Sequence, residues 1–259
     1  MISNKTRGLR KTIRLIGFIL GISASFLVAG NSYGDAPSPP SFKVIKVKDL
    51  TDDTKVESLL ENADPSDSNS RYKVGSVEKQ QDGNEWLTVK GQKVFEGYNL
   101  SRASSSSDGV IAVSSFSGLH NQINGDGSDA VLDKKTGKNI QAISSIWIID
   151  SSGAKHKITS DDMHAAYPVI SRDGHWLAFS GERLDDKGFP KKPLPEGQQV
   201  YVVSLQNGVA STPVCLNLPS RGAIIPVKWD KADQLVVMTT EDENSSTYRL
   251  TWVQITPGQ

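Results

Sequence analysis

The chain has almost no cysteine: Cys215 alone in 259 residues. A single thiol excludes an intramolecular disulfide framework and any zinc site built on cysteines. There is no net charge either, with 29 Lys and Arg against 29 Asp and Glu. That removes the electrostatic signature of a nucleic-acid binder. Histidine is scarce. His120, His156, His164 and His175 are the four, and none stands in His-Glu-x-x-His or another metal spacing. No Gly-x-Ser-x-Gly elbow occurs, so no α/β-hydrolase domain is encoded. What is present is 37% hydrophobic, enough to exclude a disordered chain and to build a sizeable core.

The one long apolar run sits near the N-terminus. Residues 1–14 hold Lys5, Arg7, Arg10, Lys11 and Arg14 and no acid, and the uncharged run Leu15–Ala29 follows. Small residues and turn formers come next, Gly30 to Gly34. A basic region, a short apolar core and a small-residue site make a secretory signal peptide over 1–34. Ser32-Tyr33-Gly34 offers cleavage before Asp35, and Val28-Ala29-Gly30 is the competing site. The alternative is an uncleaved anchor, but the run falls short of the roughly 20 residues a spanning helix needs. Without its five basic residues the exported part has 24 basic against 29 acidic residues, a net of −5. Anionic membranes and nucleic acid are poor partners for such a surface.

Residues 35–70 read as an N-terminal linker: a Pro-rich spacer at 35–41, a short strand over Phe42–Val47, a short helix over about 53–62 with its cap at Thr51–Thr54, and a polar loop. From Arg71 onward helical periodicity disappears. Short β-rich runs recur between clusters of Gly, Asp, Asn and Ser, from Tyr72–Val77 to Tyr248–Ile255. Many short strands at regular spacing with turn signals indicate an all-β sandwich or a propeller.

Repetition separates these two. The clearest unit is Tyr167-Pro-Val-Ile-Ser-Arg-Asp-Gly-His-Trp-Leu-Ala-Phe-Ser180, followed by Gln199-Val-Tyr-Val-Val-Ser-Leu205. Asp173-Gly174 reads as a tight two-residue turn, with Leu177 and Phe179 on one face of the next strand and Ala178 on the other. Ser107-Asp108-Gly109-Val-Ile-Ala-Val113 repeats the turn, and Pro226–Met238 keeps the pattern without its Asp-Gly. Asp82-Gly83 opens a fainter copy. This unit resembles the TolB-like, WD-type β-propeller repeat, although the separate α/β domain of TolB itself is lacking. The resemblance implies a β-propeller-type domain over 71–259, with three to four blades and either a closed or an incomplete ring. An incomplete ring would leave open sheet edges for self-association.

Candidate chemistry is sparse. Ser104–Ser107 has no identifiable base and reads as an edge strand or loop. Gly125–Ala130 matches a dinucleotide pattern by letters only, with no flanking strand and helix. Asn124–Lys135 has oxygen ligands but lacks the Gly and Glu of a calcium loop. Cys215 reads as a strand residue, His175 as a solvated strand start, and Trp147, Trp176, Trp229 and Trp252 as core between blades. No catalytic, cofactor or metal residues are assigned. Propeller loops carry function, and 117–142, 160–167, 181–198 and 241–246 are the candidates. His164, Arg183, Phe189, Lys191 and Lys192 are taken as partner-binding. The expectation is an exported, periplasmic or extracellular, non-catalytic module for a protein or cell-envelope partner, requiring no cofactor. The alternatives are a propeller-type lyase or hydrolase-associated enzyme acting on an extracytoplasmic glycan or peptide, and a structural surface protein. N-terminal sequencing of the exported form is expected to begin at Asp35; recovery of intact Met1 from a membrane fraction would overturn cleavage.

Overall fold

The computed structural model describes residues 39–50, 74–80, 84–97, 100–117, 130–133, 138–141, 143–185, 191, 197–206, 209–219, 222–240 and 248–258. Residues 35–259 form one compact unit. The signal peptide, the 53–62 helix and the Asp82-Gly83 turn fall outside the described residues. Every regular element described is a strand.

The first strand, β1 (Ser41–Leu50), is taken up below. A three-stranded sheet follows, β2 (Ser76–Lys79), β3 (Glu85–Val89) and β4 (Gln92–Gly97), in the order β2-β3-β4. The second sheet starts with β5 (Ser101–Ser105) and β6 (Ile111–Ser117). After the separate hairpin β7 (Ala130–Asp133) and β8 (Lys138–Gln141) it continues with β9 (Ile143–Ile149) and β10 (Lys155–Lys157). Its order is β10-β9-β6-β5. The third comprises β11 (Met163–Ile170), β12 (Trp176–Arg183), β13 (Gln199–Gln206), β14 (Val209–Ala210) and β15 (Val214–Cys215). The fourth holds β16 (Ile224–Lys231), β17 (Gln234–Thr240) and β18 (Tyr248–Thr256), and β1 returns to pair antiparallel along β18 from Ser41↔Thr256 to Leu50↔Tyr248. The strand expected inside the N-terminal linker therefore completes the last sheet, and Arg249 Nε donates to Asp49 Oδ1 at 2.7 Å across that seam.

The sheets stack face to face in chain order, as propeller blades do, because their strands are apolar on both sides. On β6, Ile111 and Val113 pack with Leu87 and Phe95 of the first sheet, while Ala112 packs with the third. On β12, Leu177 and Phe179 join Ile146 and Ile148 of the second sheet, and Trp176 and Ala178 join Leu235 and Val237 of the fourth. The alternation of Leu177 and Phe179 against Ala178 is as read from the sequence. Each large side chain so buried contributes about 1.5–3 kcal/mol. Trp176 and Trp229 are buried in these layers, while Trp147 and Trp252 are partly exposed at their margins.

The first strands of successive sheets are stitched together. Ile170 N donates to Ser104 Oγ at 2.9 Å, joining β11 to β5, and Trp229 Nε1 donates to Val169 O at 2.9 Å, joining β16 to β11. Ser104, read as lying on an edge strand or loop, is on β5 at the edge of its sheet and is buried there. Among the described residues the chain is an all-β, propeller-like stack of four sheets, with the β7–β8 hairpin beside them in sequence.

The Ser-x-Asp-Gly turns repeat in geometry as in sequence. Gly174 N donates to Ser171 O at 3.0 Å, Ser171 Oγ to Asp173 Oδ1 at 2.6 Å, and Trp176 N back to Ser171 Oγ at 2.9 Å. In the second sheet Gly109 N bonds Ser106 O, Ser106 Oγ bonds Asp108, and Val110 N bonds Ser106 Oγ at 3.0 Å. The turn is longer than the two residues expected, because Ser171 pairs with Trp176 across Arg172–His175. Gly174 has φ +75, and a Cβ there would stand 3.2 Å from Asp108 Oδ1 of the neighbouring turn. Gly174→Val is expected to lower stability by about 1–3 kcal/mol through backbone strain, read as a drop in thermal midpoint; an unchanged midpoint would overturn the assignment.

Candidate functional site

One end of the third sheet gathers polar groups inside an apolar stack. There β12 ends while β11 and β13 begin. His164 and Glu182 stand directly opposite across β11 and β12, and Gly181 lies between Ala165 and Gln199. Opposed residues in an antiparallel pair project to one side, with Cβ atoms about 4.5–5.5 Å apart. A Cβ on Gly181 would lie 3.3 Å from His164 O and 3.3 Å from Tyr201 Cδ2, so glycine lets β11 and β13 close in beside Glu182.

Glu182 is the unusual residue. It is 5% exposed, and its Oε2 is buried without a hydrogen-bond partner. Loss of water around it pushes its carboxyl above the usual carboxylate range. Gln199 Oε1, one strand further on, is also buried and unpartnered. A buried acid without a compensating cation is costly, and such groups concentrate at functional sites. His164 Nδ1 accepts the Ser144 N–H at 3.1 Å, which leaves the ring proton on Nε2. The pair thus offers a base stronger than an ordinary carboxylate beside an N–H donor.

The sequence-derived residues divide. His164 belongs to this pair, but on strand β11; the stretch 160–167 is loop only as far as Asp162. Arg183 lies next to Glu182 in the chain and is engaged within the fold. Its Nη1 stands 3.1 Å from both carboxylate oxygens of Asp162, and its guanidinium lies 5.9 Å from the Tyr201 ring centroid. The Ser160 hydroxyl and then Arg183 hold the Asp162 carboxyl below its ordinary range. Burial raises the Tyr201 phenol, with Cys215 opposite it in register. Lys191 is exposed, its backbone N–H donating to Arg183 O at 2.8 Å. Phe189 and Lys192 lie outside the described residues. Glu182 and Gln199 were missed by sequence reasoning. The available signal was an acid continuing the apolar run Leu177-Ala-Phe-Ser-Gly-Glu182. Among the described residues no three His, Cys, Asp or Glu side chains cluster as metal ligands.

The raised pKa of Glu182 has a sign. Glu182 binds its proton more tightly folded than unfolded, so its contribution is full below the ordinary carboxylate range and lost as pH rises through the folded value. Glu182→Gln is therefore expected to flatten the fall in thermal midpoint above that range. An identical pH profile in wild type and variant would refute this burial.

No family model matches this sequence, and no curated protein matches it. Among solved structures, a gluconolactonase from Xanthomonas campestris is similar with a TM-score of 0.34 and 14% identity over 73% of this chain. This chain spans 57% of that one's length. A second structure bearing the gluconolactonase name is similar with a TM-score of 0.26 and 10% identity, covering 86% of this chain and 96% of its own. Superpositions this loose transfer no residue and no activity. Both are named as gluconolactonases, names that do not match the expectation of a non-catalytic binding module and stand with its enzymatic alternative. Glu182, a buried acid, was passed over by the search for local motifs.

Proposed function

We propose that this chain is an exported hydrolase built on TolB-like propeller repeats, acting on a carbohydrate lactone or ester. The observation that carries the reading is the buried Glu182, its Oε2 without a hydrogen-bond partner, opposite His164. In such a reaction Glu182 takes a proton from water as the water oxygen bonds to the carbonyl carbon. The His164 Nε2–H donates to the carbonyl oxygen as it gains negative charge. The carbon–oxygen bond of the lactone or ester then breaks, and the proton held on Glu182 passes to the departing alkoxide. A carboxyl with a raised pKa suits both halves, since it binds the proton firmly and still releases it. The basic–apolar–small order of residues 1–34 supports the placement outside the cytoplasm.

The test is hydrolysis of D-glucono-1,5-lactone and a series of sugar lactones and aryl esters by the purified mature chain. Glu182→Gln is expected to lower kcat by about 10²–10⁴-fold, the usual contribution of a positioned acid–base group, while folding normally. Full activity in that variant, or a wild type inert toward the whole series, would sink the reading.

A further inference from the structure

The outermost strand of the fourth sheet keeps large apolar side chains in water. Phe42, Val44, Ile45 and Val47, all on β1, are 37% to 53% exposed. The register shows why. Phe42, Val44 and Val47 stand opposite Ile255, Val253 and Thr251 of β18, which are buried. Val253 and Ile255 belong to the apolar layer shared with the third sheet. β1 therefore extends that face outward, and the third sheet, whose outer strands β14 and β15 have two residues each, leaves it exposed. The opposite side of β1 is basic. Lys43, Lys46 and Lys48 stand opposite Gln254, Trp252 and Leu250 and are exposed. Strict alternation after Val44 would put Lys46 among the apolar residues and Val47 among the lysines. The register shift between Val44 and Lys46 reverses this and keeps the two sides apart. Asp49, the one acid on the strand, is already paired with Arg249. Among the described residues no strand pairs with the outer edge of β1, and such an edge presents unpaired backbone N–H and C=O groups.

We propose that β1 is a docking strand, and that an extended acidic segment of a partner protein adds to its free edge. A joining strand sends alternate side chains to the two sides of the sheet. One set meets Phe42, Val44 and Val47, and the other meets the three lysines. The segment that fits therefore alternates apolar and acidic residues. Backbone bonds supply affinity in such strand addition, and the alternating side chains supply specificity. Charge decides against a second copy of this chain. Its own β1 would bring lysine against lysine, and like charges across paired strands repel. Four half-exposed side chains also fall well short of the ~800 Å² a side of a standard stable interface. The lysine border thus turns away neutral and basic strands and admits an acidic one. This inference stands apart from the hydrolase reading.

The probe is a fluorescein-labelled peptide of alternating glutamate and valine, about as long as β1, titrated with the purified chain and followed by fluorescence anisotropy. It is expected to bind about tenfold or more tightly than peptides alternating lysine with valine or glutamate with serine. Methylating the peptide's backbone nitrogens along one edge keeps its charge and side chains but removes the donors. That peptide is expected not to bind, and equal binding would overturn strand addition. Lys43→Glu together with Lys48→Glu is expected to reverse the preference between the glutamate and lysine peptides with the thermal midpoint unchanged. An unchanged preference would overturn the part given to the lysine row. Two further outcomes would reassign the strip and overturn the proposal. One is a dimer in light scattering that Val44→Glu dissolves, which gives the strip to a second copy. The other is binding to phosphatidylglycerol vesicles without binding to the peptide, which gives it to a lipid surface.

Discussion

Every sheet in this chain that lies between two others must cover both of its faces, and the architecture follows from that demand. Strands such as Trp176–Arg183 are apolar at odd and even positions alike. A two-layer sandwich would leave one face of each sheet wet. Stacking the sheets in series satisfies both faces with the same geometry repeated, each sheet's inner strand meeting the next. The cost is that any polar group on these strands becomes trapped in an apolar layer. Most are reconciled by backbone partners: the Ser180 hydroxyl donates to Ile224 O at 2.8 Å, and Thr159 Oγ1 accepts the Ile146 N–H at 3.1 Å. Glu182 Oε2 and Gln199 Oε1 are among those where that reconciliation is incomplete.

The repeat was legible because its turn chemistry is local. Ser, Asp and Gly at fixed offsets make their hydrogen bonds within a few residues, so Ser171–Gly174 and Ser106–Gly109 announced themselves. The two-sided strands were legible as continuous apolar runs. The first half of β11 was hidden, because positive φ at Tyr167 and the missing N–H of Pro168 break the alternation by which a strand is recognised. Gly181 misled in the opposite direction. It was read as the first residue of the 181–198 loop; in the fold it lies within β12 as a spacer that lets two strands approach. The acid was therefore assigned to a loop instead of a buried strand. Register across a sheet, which sets His164 against Glu182, depends on a bulge that no local motif encodes.

The union of the chain's two ends has a consequence in time. Asp49 and Arg249 lie 200 residues apart yet are partners across β1 and β18. Long-range pairing of this kind raises contact order and slows folding, because a large loop must close before the contact is made. Among the described strands β1 is synthesised first and β18 last, so the first three sheets can assemble while β1 waits for β18. During that interval β1 lacks its partner and is open to other extended segments. The lysines at 43, 46 and 48 along β1 then act on the completed sheet as a charged border, discouraging a further strand from adding where the chain itself has finished.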